Sequence, residues 1–498
     1  MAHQPSLEEI QNFKGKYPKQ LWSLFFSEMW ERFCFYGMRG MLTYFMVTQL
    51  FMKDEDANLQ YGATQAFVYA FTFIGGLFAD KILGFRKSLF WGGILMILGS
   101  AILAYDPHQF FFLGISFTVV GTGFFKPNIS TMVGTLYKGN DTRRDAGFSL
   151  FYSGINIGAL LGGYACIAIG KQYSWHLAFG LAGIVMAISL LTFLFTQKSL
   201  GPIGLSPFKN DETKDGKIIN RKWYDYAVYA GSLAVIPVIM IMVAKTQYTD
   251  WFMYTIGPAT LIYLIYEMTK YGWAERKKLM AALVFIFFSI LFWAFFEQSG
   301  GSLSLFAAKN LDNTVLGIKL DPNGVNNAAN SLFVIIFAPI IGLIWLGLAK
   351  RKIEPNTVVK FGLAFLFLAG AFYVFYATRF FATVQGIASL DVFTVAYLVL
   401  TFGELCLSPI GLSIMTKLSP TKLQGVMMGM WFLASAYGQY VAGILGAGLS
   451  KGHTGDSLTQ KLMTYTDGYK QLAIYALIAG VVLLIISPIV KKLMQEVK

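Results

Sequence analysis

Residues 177–195 read LAFGLAGIVMAISLLTFLF, a run without a single charge. A bilayer core of about 30 Å asks for roughly 20 apolar residues in a helix, so the run reads as a membrane span. Leu89–Leu103, Ala281–Phe296 and Leu472–Val490 have the same character. Across all 498 residues the hydrophobic share is 55% and the charged share 13%, against about a quarter charged in soluble chains. Working outward, core helices are expected near 19–49, 61–81, 87–106, 110–137, 146–170, 175–197, 278–306, 326–349, 356–378, 390–416, 423–448 and 468–490. Two further apolar segments, near 223–244 and 250–269, bring the expected spans to fourteen. The fold class is therefore all-α and integral to the membrane. Residues 1–197 would form one six-helix bundle, 198–277 a linker with two additional helices, and 278–498 a second six-helix bundle. Two related halves of this kind commonly face each other across a central pathway.

The formal net charge of +13 would point to nucleic acid in a soluble protein, but its placement excludes that reading. With both termini on one side, 27 Lys and Arg fall in that side's loops and tails and 9 on the other. That asymmetry is the one cytoplasmic loops show, and it sets orientation. Residues 1–20 are polar and mixed in charge, unlike a cleavable signal. Cys34, Cys166 and Cys406 lie in apolar segments and read as buried thiols. His3, His108, His176 and His453 lack metal-ligand spacing, so no metal site is expected. Phosphate-cradling loops, zinc-hydrolase motifs and nucleophile elbows are absent from the sequence, and no enzyme is expected.

Between the second and third helices the chain runs Gly76-Leu77-Phe78-Ala79-Asp80-Lys81-Ile82-Leu83-Gly84-Phe85-Arg86-Lys87. It resembles the signature loop of the major facilitator superfamily. An acid and a base flanking a tight glycine turn can lock neighbouring helices in one state. The two additional helices have no charge at their centres and read as scaffold.

A charge inside a spanning helix costs at least about 2.5–3.5 kcal/mol on insertion scales, so each needs a partner, a wet cavity or a function. Helix one carries Glu28, Glu31, Arg32, Tyr36 and Arg39 at spacings of three, four and seven, which line one helical stripe. Helix four adds Lys126, helix seven Glu297 and helix ten Glu404. Cations thus gather in the first half, while the second half holds acids without a base at membrane depth. A zwitterion one to three residues long, at about 3.3–3.6 Å per residue, fits between such poles.

Glu28-Met29-Trp30-Glu31-Arg32-Phe33 and Phe151-Tyr152-Ser153-Gly154-Ile155-Asn156-Ile157-Gly158 resemble the two signatures of the proton-dependent oligopeptide transporter family. Gly121–Asn128, Trp293–Gln298, Asn330–Pro339, Glu404–Pro409 and Met430–Phe432 extend the resemblance across both halves. It implies a major facilitator fold with the two extra helices of bacterial members, and uptake of dipeptides and tripeptides driven by protons, with no cofactor. Arg32, Arg39 and Lys126 would face the peptide carboxylate, and Asn156, Asn330 and Glu404 its amino end. Tyr36, Tyr69, Trp293 and Trp431 would shape side-chain pockets. Glu28, Glu31, Arg32 and Glu297 would couple protons, with Arg39–Glu297 closing an outer gate and Lys126–Glu404 an inner one. The implied setting is the bacterial inner membrane with cytoplasmic termini. The implied partners are peptides, peptide-like drugs, protons and lipid, with the monomer as functional unit. Two departures stand out: Phe35 replaces a common Tyr, and the second helix lacks the His of animal relatives. Another small zwitterion or anion, such as an amino-acid derivative or nitrate, is the alternative cargo.

Overall fold

The structure, a computed structural model, describes residues 4–139, 141–207, 222–407, 411–451 and 456–495. Among them fourteen helices have 18 residues or more. Helices one to six span Lys19–Thr48, Asp54–Phe78, Phe85–Tyr105, Phe111–Thr135, Arg144–Gln172 and Trp175–Thr196. The accessory pair spans Lys222–Ala244 and Thr246–Met268. Helices seven to twelve span Trp273–Phe296, Pro322–Lys350, Thr357–Ala377, Leu390–Leu407, Gln424–Leu449 and Leu458–Met494. Eleven spans are apolar enough to cross a membrane on composition alone. The other three are helix one, helix four and the second accessory helix, whose interior polar residues lower their hydropathy.

Some expected boundaries move for local reasons. Helix two starts at Asp54 and not at 61, because its acidic first turn, Asp54-Glu55-Asp56, reads as loop in a hydropathy profile. Helix twelve starts at Leu458 and not at 468. There the Ser457 hydroxyl caps the Gln460 amide while the Gln460 side chain accepts from the Ser457 amide, which fixes a polar first turn. The run expected as one helix over 278–306 is broken: it ends at Phe296, tightens into a single turn over Glu297–Gly300, and resumes over Ser302–Asn310. A small hairpin, Thr314–Val315 against Ile318–Lys319, also went unforeseen. Its turn residues Leu316 and Gly317 both have positive φ, at 51° and 81°.

The chain falls into two compact units. The first comprises 1–41 and 67–244, the second 42–66 and 245–498. In the first, Gly75 and Gly123 bring helices two and four into backbone contact; a Cβ on Gly75 would sit 2.1 Å from the Gly123 carbonyl oxygen. The Gly84 turn, at φ 77°, leads into Arg86, whose guanidinium donates to the carbonyls of Gly201 (2.6 Å) and Ile203 (2.7 Å). Lys87 pairs with Asp225 of the first accessory helix at 2.5 Å. The expected acid–base lock is thus corrected in its partner. The base anchors the segment after helix six, whereas Asp80 pairs at 3.5 Å with exposed Lys81.

The second unit is cored by Phe285, Phe292, Phe365, Phe372, Phe375, Phe393 and Tyr469. Its accessory helix is clamped by helix eleven, where Tyr437 donates to the Met253 carbonyl and Tyr440 to Asp250 at 2.5 Å. Cys34, Cys166 and Cys406 are buried free thiols.

Candidate functional site

Each unit carries its own buried polar constellation. In the first, Glu28, Glu31 and Arg32 are all at most 1% exposed. The Arg32 guanidinium grips both oxygens of Glu31, with Nη2 to Oε1 at 2.5 Å, and lies 3.3 Å from Glu28 Oε1. Glu28 Oε2 is buried with no hydrogen-bond partner among the described residues. Within helix one, a single guanidinium therefore serves two carboxylates. Arg32 also stacks over Phe35 at 5.0 Å, where a hydroxyl is missing, and Arg39 lies over Tyr36 at 5.5 Å. From helix four, Lys126 sits 4.8 Å above the Tyr69 ring.

Helix five seats this cluster. A Cβ on Gly158 would meet the Met29 carbonyl oxygen at 2.0 Å, so helix one lies directly on the Gly154–Gly158–Gly162 face. Part of the second signature is therefore packing. Gly158→Leu is expected to push helix one away, destabilising the protein by about 1–3 kcal/mol. A variant with the parent's melting temperature would contradict that seating. Asn156, expected near the peptide amino end, donates at 3.0 Å to the Tyr152 carbonyl of its own helix.

In the second unit Glu404 and Asn330 come together: the Asn330 amide donates to Glu404 Oε2 at 2.9 Å and to Thr401 Oγ1 at 3.2 Å. Glu297 is buried and caps helix seven at its break. Trp293 packs edge-on against Phe292 and Phe296, and Trp431 lies within the apolar core. The expected pairs Arg39–Glu297 and Lys126–Glu404 each take one residue from either unit.

The first unit thus offers one buried cation, Arg32, and two half-buried ones, Arg39 and Lys126, tempered by acids, and the second a half-buried carboxylate that accepts from the Asn330 amide. Residues 86–461 match the POT family. The peptide transporter YePEPT of Yersinia enterocolitica is 35% identical, covering 96% of both chains. The chain belongs to the POT family. Dipeptide and tripeptide permease A of Escherichia coli is 28% identical over 99% of this chain and 97% of its own. Among solved structures, a peptide transporter POT mutant in complex with alafosfalin superposes with a TM-score of 0.81 at 32% identity, covering 99% of this chain and all of that one. A POT family transporter in complex with 5-aminolevulinic acid gives 0.80 at 28%, covering 98% and 100%.

This POT family member is thus a membrane transporter of major facilitator fold and not an enzyme. Sequence reasoning missed Thr401, Tyr397 and Asn326. Tyr397 donates to Asn326 Oδ1 at 2.6 Å, and Asn326 donates to the Ser299 carbonyl at 2.7 Å. The available signal was the asparagine spacing of helix eight, with Asn323, Asn326 and Asn330 on one helical stripe of an apolar segment.

Proposed function

We propose that the protein is a proton-coupled symporter that imports dipeptides and tripeptides by alternating access between the six-helix bundles of 1–197 and 278–498. The observation that carries this reading is the opposite chemistry of the two polar constellations, which suits the two ends of a peptide zwitterion. Names of relatives at 28–35% identity over nearly the whole chain support the cargo.

In this reading Lys126, Arg39 and Arg32 hold the carboxylate, and Glu404, with Asn330 and Asn156, holds the ammonium. Tyr36, Tyr69, Trp293 and Trp431 border the side chains. Arg32 is engaged by Glu31, so a proton on Glu31 or Glu28 releases it toward the cargo. A proton on Glu297 likewise weakens its attraction for Arg39, so that binding and gating draw on the same charges. A zwitterion carried with one proton moves net charge inward, worth about 2.3 kcal/mol per 100 mV. In this reading the protein sits in the inner membrane with both termini in the cytoplasm, an orientation the basic loops favour, and acts as a monomer, which contains every residue invoked.

The complex of a related transporter with 5-aminolevulinic acid favours a second cargo, a short amino-acid derivative. Competition separates them: excess dialanine should block labelled dipeptide uptake more strongly than 5-aminolevulinic acid or nitrate, and the reverse order overturns the peptide reading. Glu297→Gln should abolish accumulation under an imposed pH difference. A variant that still concentrates peptide removes Glu297 from the coupling.

A further inference from the structure

Helix seven breaks between Phe296 and Ser302, and a break at membrane depth frees carbonyls that only protein groups can satisfy. Two are answered by side chains: Thr43 donates to the Gly300 carbonyl, and Asn326 of helix eight donates to that of Ser299 at 2.7 Å. Asn326 is 1% exposed, and its amide is committed at both ends. Because Ser299 O can only accept, the NH2 group must face it, which leaves Oδ1 for the Tyr397 hydroxyl at 2.6 Å. One turn along helix ten, Thr401 donates to the Tyr397 carbonyl at 2.8 Å and receives the Asn330 amide. That amide also binds Glu404 at 2.9 Å. A line of buried and half-buried hydrogen bonds, carried through Tyr397 from its carbonyl to its hydroxyl, therefore runs from Glu404 to the turn that begins with Glu297.

We propose that Asn326 and Tyr397 are positioning residues that transmit occupation of Glu404 to the break in helix seven. The inference rests on the symport reading above, since it links that reading's ammonium acceptor to its proton acceptor. An ammonium held by Glu404 and by Asn330 Oδ1 weakens the amide's bond to the carboxylate and resets helix eight against helix ten. Asn326, one turn from Asn330 and bonded to Tyr397, carries that shift to Ser299, two residues beyond Glu297. A ligand shifts a conformational equilibrium only through interactions that differ between the states, and this line supplies them.

The test compares two transport modes in proteoliposomes, labelled dialanine counterflow without a gradient and accumulation under a pH jump. Asn326→Leu removes both ends of the link, and Tyr397→Phe removes one hydroxyl while leaving Ser299 capped, so it serves where the leucine variant fails to fold. Loss of a buried hydrogen bond is expected to slow accumulation about tenfold in Asn326→Leu and severalfold in Tyr397→Phe. Counterflow should stay within about twofold of the parent, a split that a merely structural role would not produce. Parallel loss of both modes, or accumulation at the parent rate in the folded variants, overturns the proposal. The unmodified protein reports separately on the symport reading: if it takes up no dialanine, the cargo assignment fails, and the coupling line falls with it.

Discussion

Replacing Arg32 by alanine is expected to abolish dialanine uptake and to destabilise the protein by about 3–5 kcal/mol, the usual loss when one partner of a buried ion pair is deleted. The size follows from the partners left behind. Glu31 loses its two-pronged grip and Glu28 its neighbour at 3.3 Å, while both carboxylates remain buried. Arg32→Lys restores a charge but not the planar fork, so it should recover part of the stability and little transport. Adding Glu31→Gln to Arg32→Ala should recover stability without uptake. Melting temperature and initial rate, measured on the same preparations, separate the two effects. Full uptake by the alanine variant would remove Arg32 from the mechanism.

Glu404→Gln is expected to weaken dialanine binding ten- to hundredfold, since a charge-assisted hydrogen bond contributes about 1.5–3 kcal/mol and each 1.4 kcal/mol is tenfold. Glutamine keeps the shape and can still meet Asn330, so the loss reports on charge. N-acetyl-dialanine has no ammonium, and its weaker inhibition should be the same in parent and variant. Equal losses for both ligands would place Glu404 away from the amino end.

How much of this was readable beforehand depended on how unusual each residue is in a membrane. Glu28, Glu31, Arg32 and Lys126 were legible because a charge in an apolar run demands explanation, and their spacing put three of them on one turn. Glu404 and Asn330 were legible singly, but their hydrogen bond was not, since it depends on how helices eight and ten are rotated. Thr401 and Tyr397 gave no signal: a threonine or tyrosine is ordinary in a spanning helix, and only the fold turns these two toward Asn330 and Asn326. The break in helix seven was hidden because residues 281–296 carry no charge, with Ser289 the one polar side chain apart from the Trp293 indole, and glycine pairs such as Gly300–Gly301 are common in packed spans. The glycines of the second signature looked like part of a binding motif, and one of them, Gly158, makes room for the carbonyl of Met29.

The account stands or falls on energy coupling between a proton and a peptide zwitterion. Purified protein in liposomes, given an acidic exterior and labelled dialanine, should accumulate the peptide above its external concentration, and a protonophore should collapse that accumulation to equilibrium. Equilibration at the same rate and to the same level with and without the pH difference would contradict it.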